Sequence, residues 1–70
     1  MPIDEDAVLP AIAAGEVYRD QSDFVYKVTD VTGEDLSAEV FNLQDEKLMD
    51  VTLKLQKAQI RLARGRWTEV

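Results

Sequence analysis

The chain has 70 residues, no cysteine and no histidine, and its 14 acidic residues against 8 basic ones give a net charge of −6. This length limits it to one small domain, and the two missing residue types exclude disulfides, thiolate metal sites and the usual general base of enzymes. The acidic balance argues against bulk attraction to nucleic acid or to an anionic membrane.

The first nine residues form an acidic segment with few apolar side chains to anchor it. We expect residues 1–9 to be a flexible acidic arm and residues 10–70 to be a single small domain. An acidic start is unlike the basic start of a signal peptide, and no stretch is long and apolar enough to cross a membrane, so we expect a cytoplasmic protein. The composition also resembles that of proteins from salt-loving microbes.

Pro10 suits the first position of a helix and Gly15 the residue after its end, which predicts one or two helical turns at 10–15. From residue 16 to residue 55, apolar side chains then recur at every second position, which is the period of β-strands. Polar turns divide this stretch into four strands, at 16–20, 24–31, 36–43 and 48–55. The pattern predicts a four-stranded antiparallel meander.

Residues 56–64 are strong helix formers, and Gly65 suits the position just after a helix. Residues 66–70 can return as a final short strand, with Trp67 as its apolar anchor. The predicted fold class is therefore mainly β, a small α+β domain with a short helix at about 56–64.

The order of elements over residues 15–70, written GEVYRD…FVYKVTDV…LSAEVFNL…MDVTLKL…ARGRW, resembles SH3-like small β-barrels. It is also similar to many small archaeal, bacterial and phage proteins that end in a helix followed by Gly-Arg-Trp. The resemblance implies an SH3-like barrel. The aromatic cluster by which SH3 domains bind proline-rich peptides is missing after the first strand, so that activity is not implied. A small α+β sheet with the helix packed on one face is the competing architecture.

Charge is distributed unevenly along the chain. Residues 1–50 carry 13 acidic and 3 basic side chains, which gives a net charge of −10. Residues 51–70 carry 1 acidic and 5 basic side chains, which gives a net charge of +4. These five basic residues either form a binding surface for an acidic partner or nucleic acid, or only neutralise the acidic strands and solvate the helix. They are Lys54, Lys57, Arg61, Arg64 and Arg66.

The aromatic residues also allow two interpretations. Phe24, Tyr26 and Trp67 are expected in the core, although an open sheet could display aromatic rings for stacking with RNA bases. Tyr18 and Phe41 share their strand faces with polar residues and can face either way. An outward Phe41, with Leu43 beside it, would form an apolar patch that marks an interface.

No pattern of catalytic, metal-binding or phosphate-binding residues is present, so we expect neither an enzyme nor a cofactor. We expect a non-catalytic protein–protein interaction or regulatory module, with a protein partner or a second copy of the chain bound near Phe41 and the helix. A nucleic-acid-binding accessory protein and a small structural component of a phage or other assembly are the alternatives.

Overall fold

The computed structural model describes residues 9–70, so the predicted arm lies outside the described residues except for Leu9. The described chain forms a mainly β, small α+β fold, as predicted, and each element agrees with its predicted bounds to within two residues. The elements are β1 (Val17–Asp20), β2 (Val25–Thr32), β3 (Asp35–Phe41), β4 (Lys47–Lys54), α1 (Leu55–Ala63) and β5 (Trp67–Glu69).

All five strands join one antiparallel sheet in the order β4-β3-β2-β1-β5. The predicted SH3-like barrel is not confirmed, because β4 and β5 are the two edges of the sheet and do not pair with each other. The competing architecture describes the molecule, since α1 packs on one face of the sheet. The helix connects one edge strand to the other and covers the apolar face that closure into a barrel would bury.

The helical turns predicted at 10–15 are wrong. These residues run without regular structure into a turn at Ala14 and Gly15, where Gly15 has a φ of +93°. The Gly15 N–H donates to the Val28 carbonyl at 2.8 Å, and Ile12 is buried in the core. Contacts with the sheet thus replace the local hydrogen bonds of a helix.

The core lies between α1 and the sheet face that carries Leu36, Ala38 and Val40, as the alternation of β3 predicts. Its buried side chains are Ile12, Tyr18, Val28, Leu36, Ala38, Val40, Ala58 and Trp67. Burial of each large apolar side chain stabilises the fold by about 1.5–3 kcal/mol.

An aromatic stack fills the β5 side of this core. The Trp67 ring lies 4.8 Å from the Tyr26 ring and 5.6 Å from the Tyr18 ring, between centroids. The core position predicted for Trp67 is confirmed, and Tyr18, whose direction the sequence left open, is also buried. The core position predicted for Phe24 is wrong: this side chain is 39% exposed because it precedes β2, in a turn where Asp23 has a φ of +65°.

Within residues 9–70, no helix combines the length and the apolar character needed to cross a bilayer.

Candidate interaction surfaces

The face of the sheet that lies opposite α1, here called the open face, carries Phe41. Phe41 is half-buried, and the Lys27 ammonium lies 4.2 Å from the centre of its ring, a cation–π contact. Register explains this contact, because Lys27 and Phe41 alternate with the inward residues of β2 and β3. The interpretation of Phe41 as outward-facing therefore fits its position, although Lys27 covers part of the ring.

The basic residues of the strands are already paired with carboxylates. Register places Lys54 opposite Asp35, and their charged groups are 3.3 Å apart. Lys47 lies 3.0 Å from both Glu39 and Asp50. In two further ion pairs, the side-chain nitrogen lies 2.6 Å from the carboxylate oxygen in Arg19–Asp23 and 3.2 Å from it in Lys27–Asp45. The open face thus neutralises its own cations.

The remaining cations follow β4 and form what we call the basic surface, which consists of Lys57, Arg61, Arg64 and Arg66. Within the described part of the chain, none of the four makes an ion pair. Lys57, Arg64 and Arg66 are exposed. Of the five basic residues in the C-terminal stretch, only Lys54 pairs with a strand carboxylate, so internal neutralisation does not account for the other four among residues 9–70.

Arg61 differs from its neighbours because it is half-buried. Burial and a hydrogen bond to Asp20 raise the pKa of Tyr26, and the charge of Arg61 opposes that rise. The Tyr26 hydroxyl donates to Asp20 at 3.0 Å. Arg61 therefore takes part in the electrostatics of the core edge, and its substitution would affect the fold as well as a docking surface.

The predicted site residues form two surfaces rather than one. Phe41 belongs to the open face, whereas the basic surface lies on α1 and the residues after it. Leu43 lies near the open face in a shallow groove of about 360 Å³, where it is 51% exposed and Val70 is 77% exposed. We call the apolar side chains of this groove, Val25, Leu43 and Val70, the apolar corner.

A pair of carboxylates lies beside Tyr18, and the sequence analysis missed it. Burial and the nearby charge of Glu16 raise the pKa of Tyr18 to about 12. The Ala13 N–H donates to Glu16 at 2.5 Å and lowers the pKa of that carboxyl, while a hydrogen bond and repulsion from Glu16 raise the pKa of Glu69. Alternation already places Glu16 and Tyr18 on one face, but only the register of β5 brings Glu69 to them.

Among residues 9–70, no three potential metal ligands lie close enough together to hold a metal ion, and this carboxylate pair is no exception. Comparison of the chain with protein-family models, with curated proteins and with solved structures finds no match.

Proposed function

We propose that this protein is a non-catalytic interaction module that binds an acidic segment of a partner protein through the basic surface. The observation that carries the proposal is the contrast between two groups of cations. Arg19, Lys27, Lys47 and Lys54 are each paired with a carboxylate, whereas the four residues of the basic surface make no ion pair within residues 9–70. Cations that pair with no carboxylate among residues 9–70 can bind a partner without breaking an ion pair of the described residues.

The net charge of −6 fits a protein partner better than a nucleic acid. A polyphosphate backbone extends well beyond four cations, and its further charges would meet the net negative charge of the rest of the protein. Screening at physiological salt limits such repulsion to about 8 Å, so a short acidic peptide confined to the basic surface would escape most of it.

The test compares two variants with the same net charge. Arg64→Gln with Arg66→Gln removes two exposed cations, and Gln44→Glu with Thr52→Glu adds two negative charges at exposed positions, one in the β3–β4 turn and one on β4. Binding of a fluorescent polyglutamate peptide is measured by anisotropy at low and physiological salt. Because exposed charge contacts contribute about 0.2–1 kcal/mol each, we expect the first variant, which lacks two of them, to bind about two- to thirtyfold more weakly than the second.

Equal weakening in both variants would attribute binding to net charge alone and contradict the proposal, as would no binding of the peptide even at low salt. Short DNA and RNA strands serve as competing probes. Tighter binding of either, with an affinity that falls steeply as salt rises, would favour the nucleic-acid alternative instead.

A further inference from the structure

The helix α1 covers only part of the sheet face on which it packs. Neighbouring strands lie about 4.8 Å apart, so five strands span about 19 Å between the outer two, whereas a helix with its side chains is about 10 Å wide. The nine residues of α1 are also only about 14 Å long, against about 27 Å for the eight residues of β4. One helix therefore leaves part of this face uncovered.

The segment that precedes β1 covers the face on one side of α1. The Gln59 side-chain N–H donates to the Pro10 carbonyl at 3.1 Å, and Ile12 is buried in the core. Lys57 and Arg61 are each two positions from Gln59, or about 200° around the helix, so they lie on its opposite side. The uncovered part of the face therefore lies on the side of α1 that carries these two cations.

A row of residues across the sheet shows where a cover is missing. Met49 pairs with Val40, and Val40 pairs with Tyr26, so their side chains lie side by side on the face that α1 packs against. Val40 is buried and Tyr26 is half-buried, but Met49 is 56% exposed. Leu48, the extra residue of the bulge in β4, is 44% exposed next to it. We call Leu48 and Met49 the uncovered area.

The same row connects the uncovered area to the basic surface. Burial raises the pKa of Tyr26, and the charge of Arg61 opposes that rise, which is consistent with a position of Arg61 near the Tyr26 hydroxyl. Tyr26 and Met49 are two strands apart, with about 10 Å between their backbones. Lys57, Arg61 and Arg64 recur at spacings of four and three, so they line one side of α1. A row of cations thus borders an apolar area.

From this arrangement we infer that the acidic segment of the partner docks as an amphipathic helix beside α1. Its acidic side chains pair with Lys57, Arg61 and Arg64, and its apolar side chains cover Leu48 and Met49. Two helices about 8–10 Å apart together cover the width of a five-stranded sheet. The inference rests on the proposed function, since it gives the conformation and the apolar side of the segment that the basic surface binds.

Two features favour a helix of another protein over other occupants. Met49 contributes to the face of the sheet, where helices pack, and the cations of α1 have the spacing at which acidic residues recur on a neighbouring helix. An extended strand would instead pair with the main chain at the β4 edge. A second copy of the chain carries the same net charge of −6, so its approach is opposed by repulsion.

The test uses fluorescent peptides of equal length. The amphipathic peptide is based on alanine, with glutamates spaced i, i+4 and i+7 and a leucine directly after each glutamate. The scrambled peptide has the same residues without a helical period, and the uncharged peptide has glutamine in place of each glutamate. Binding to the full chain is measured by anisotropy at physiological salt.

Two serine variants separate the uncovered area from other exposed apolar side chains. Met49→Ser removes the apolar contact, and Leu43→Ser is the matched control, since Leu43 is 51% exposed in the apolar corner. We expect Met49→Ser to bind the amphipathic peptide about tenfold more weakly than Leu43→Ser does, because the peptide buries the methionine side chain. The two variants should bind the scrambled peptide equally. The amphipathic peptide should also gain helical circular dichroism when it binds.

Equal binding of the amphipathic and scrambled peptides, or equal effects of the two serine variants, would overturn the inference. A bound peptide without a helical signal would also overturn it and would point to strand addition. Association of the chain with itself that Met49→Ser abolishes would assign the uncovered area to a second copy, again against the inference.

The peptides also distinguish failure of the inference from failure of the proposed function. Binding of polyglutamate to the basic surface, with no preference for the amphipathic peptide, supports the proposed function and rejects the docked helix. Equal binding of the amphipathic and uncharged peptides, weakened by Met49→Ser, rejects the proposed function, because no acidic side chain is then needed. That result retains the uncovered area as an apolar docking site.

Discussion

Tyr18 is a buried residue whose hydroxyl lies beside two carboxyls with shifted pKa values. Its ring is 1% exposed and stacks on Trp67, so its hydroxyl reaches only the rim of the sheet, where Glu16 and Glu69 lie. A hydrogen bond from the Ala13 N–H and a second one from Glu69 lower the pKa of Glu16, and the hydrogen bond between the two carboxyls raises the pKa of Glu69. One carboxyl of the pair therefore favours the ionised form, and the other favours the protonated form.

This pair gives stability a dependence on pH. A carboxyl whose pKa is raised by folding contributes stability below its ordinary value of 4.5, and the contribution is lost as the pH rises through the folded value. Glu16, with a lowered pKa, contributes above 4.5, and its contribution is lost as the pH falls. At neutral pH, the ionised Glu69 is thus the unfavourable member.

We therefore expect Glu69→Gln to raise the melting temperature at neutral pH, because a neutral amide can donate to Glu16 without repulsion. Thermal unfolding is followed by circular dichroism at neutral pH and below pH 4.5, where a protonated Glu69 resembles glutamine and the gain should disappear. Glu34→Gln is the control, since it removes one exposed carboxylate in a turn. A gain equal to that of the control, or one that persists at low pH, would contradict the assignment.

At the scale of elements, β4 is the long free edge of the sheet. It has eight residues, and Lys47 through Asp50 are all exposed. Edge strands can pair with another chain, and lysines commonly oppose this. β4 has Lys47 at its first position and Lys54 at its last, so antiparallel pairing of two full-length β4 strands would bring like charges together.

Removal of these charges should expose the edge to pairing. We expect Lys47→Gln with Lys54→Gln to increase association and heat-induced aggregation, measured by light scattering as a function of concentration. Lys57→Gln with Arg64→Gln makes the same change in charge away from the edge and should not. If both variants associate equally, the cause is the loss of two positive charges and not pairing at the β4 edge, which would contradict the prediction.

At the scale of the whole molecule, the fold is a layer of sheet with a helix on one side only, and its principal extents are 38 × 24 × 15 Å. The domain carries two candidate surfaces, the basic surface and the apolar corner. The basic surface suits an acidic segment, whereas the apolar corner has exposed Leu43 and Val70 and suits another apolar surface.

We expect any self-association of the native chain to use the apolar corner, since the β4 edge is protected by its lysines. Leu43→Ser should then reduce the apparent mass at high protein concentration, measured by sedimentation, because it removes apolar area at a position outside the strands. Met49→Ser, at a side chain 56% exposed on β4, is the matched control. A monomer at all concentrations, or an equal effect of the control, would contradict this expectation.

The strands and the helix could be predicted because their signals are local. Alternation over residues 36–40 identifies the inward face of β3, and the run of helix formers after Leu55 identifies α1. Tyr18 could not be assigned in this way, because its polar neighbours Glu16 and Asp20 share its face and accept hydrogen bonds at the rim of the core. Polar neighbours on a short strand therefore do not identify a solvent-facing side.

The open sheet and the separation of the two surfaces depend on contacts between distant residues. The partner of β5 is β1, about fifty residues earlier, and no local pattern specifies that pairing. The sequence could identify the five basic residues and Phe41 as candidates for a binding surface, but the face on which each of them lies follows only from the strand order.

The position of β5 has a consequence for synthesis of the protein. Its residues pair with a strand made about fifty residues earlier, and its tryptophan fills the centre of the aromatic stack. While the ribosome still holds residues 67–69, the nascent meander has its apolar face covered incompletely and its first strand unpaired on one side. Native closure must therefore wait until this short segment has left the exit tunnel, and until then apolar surface and an unpaired strand edge remain exposed.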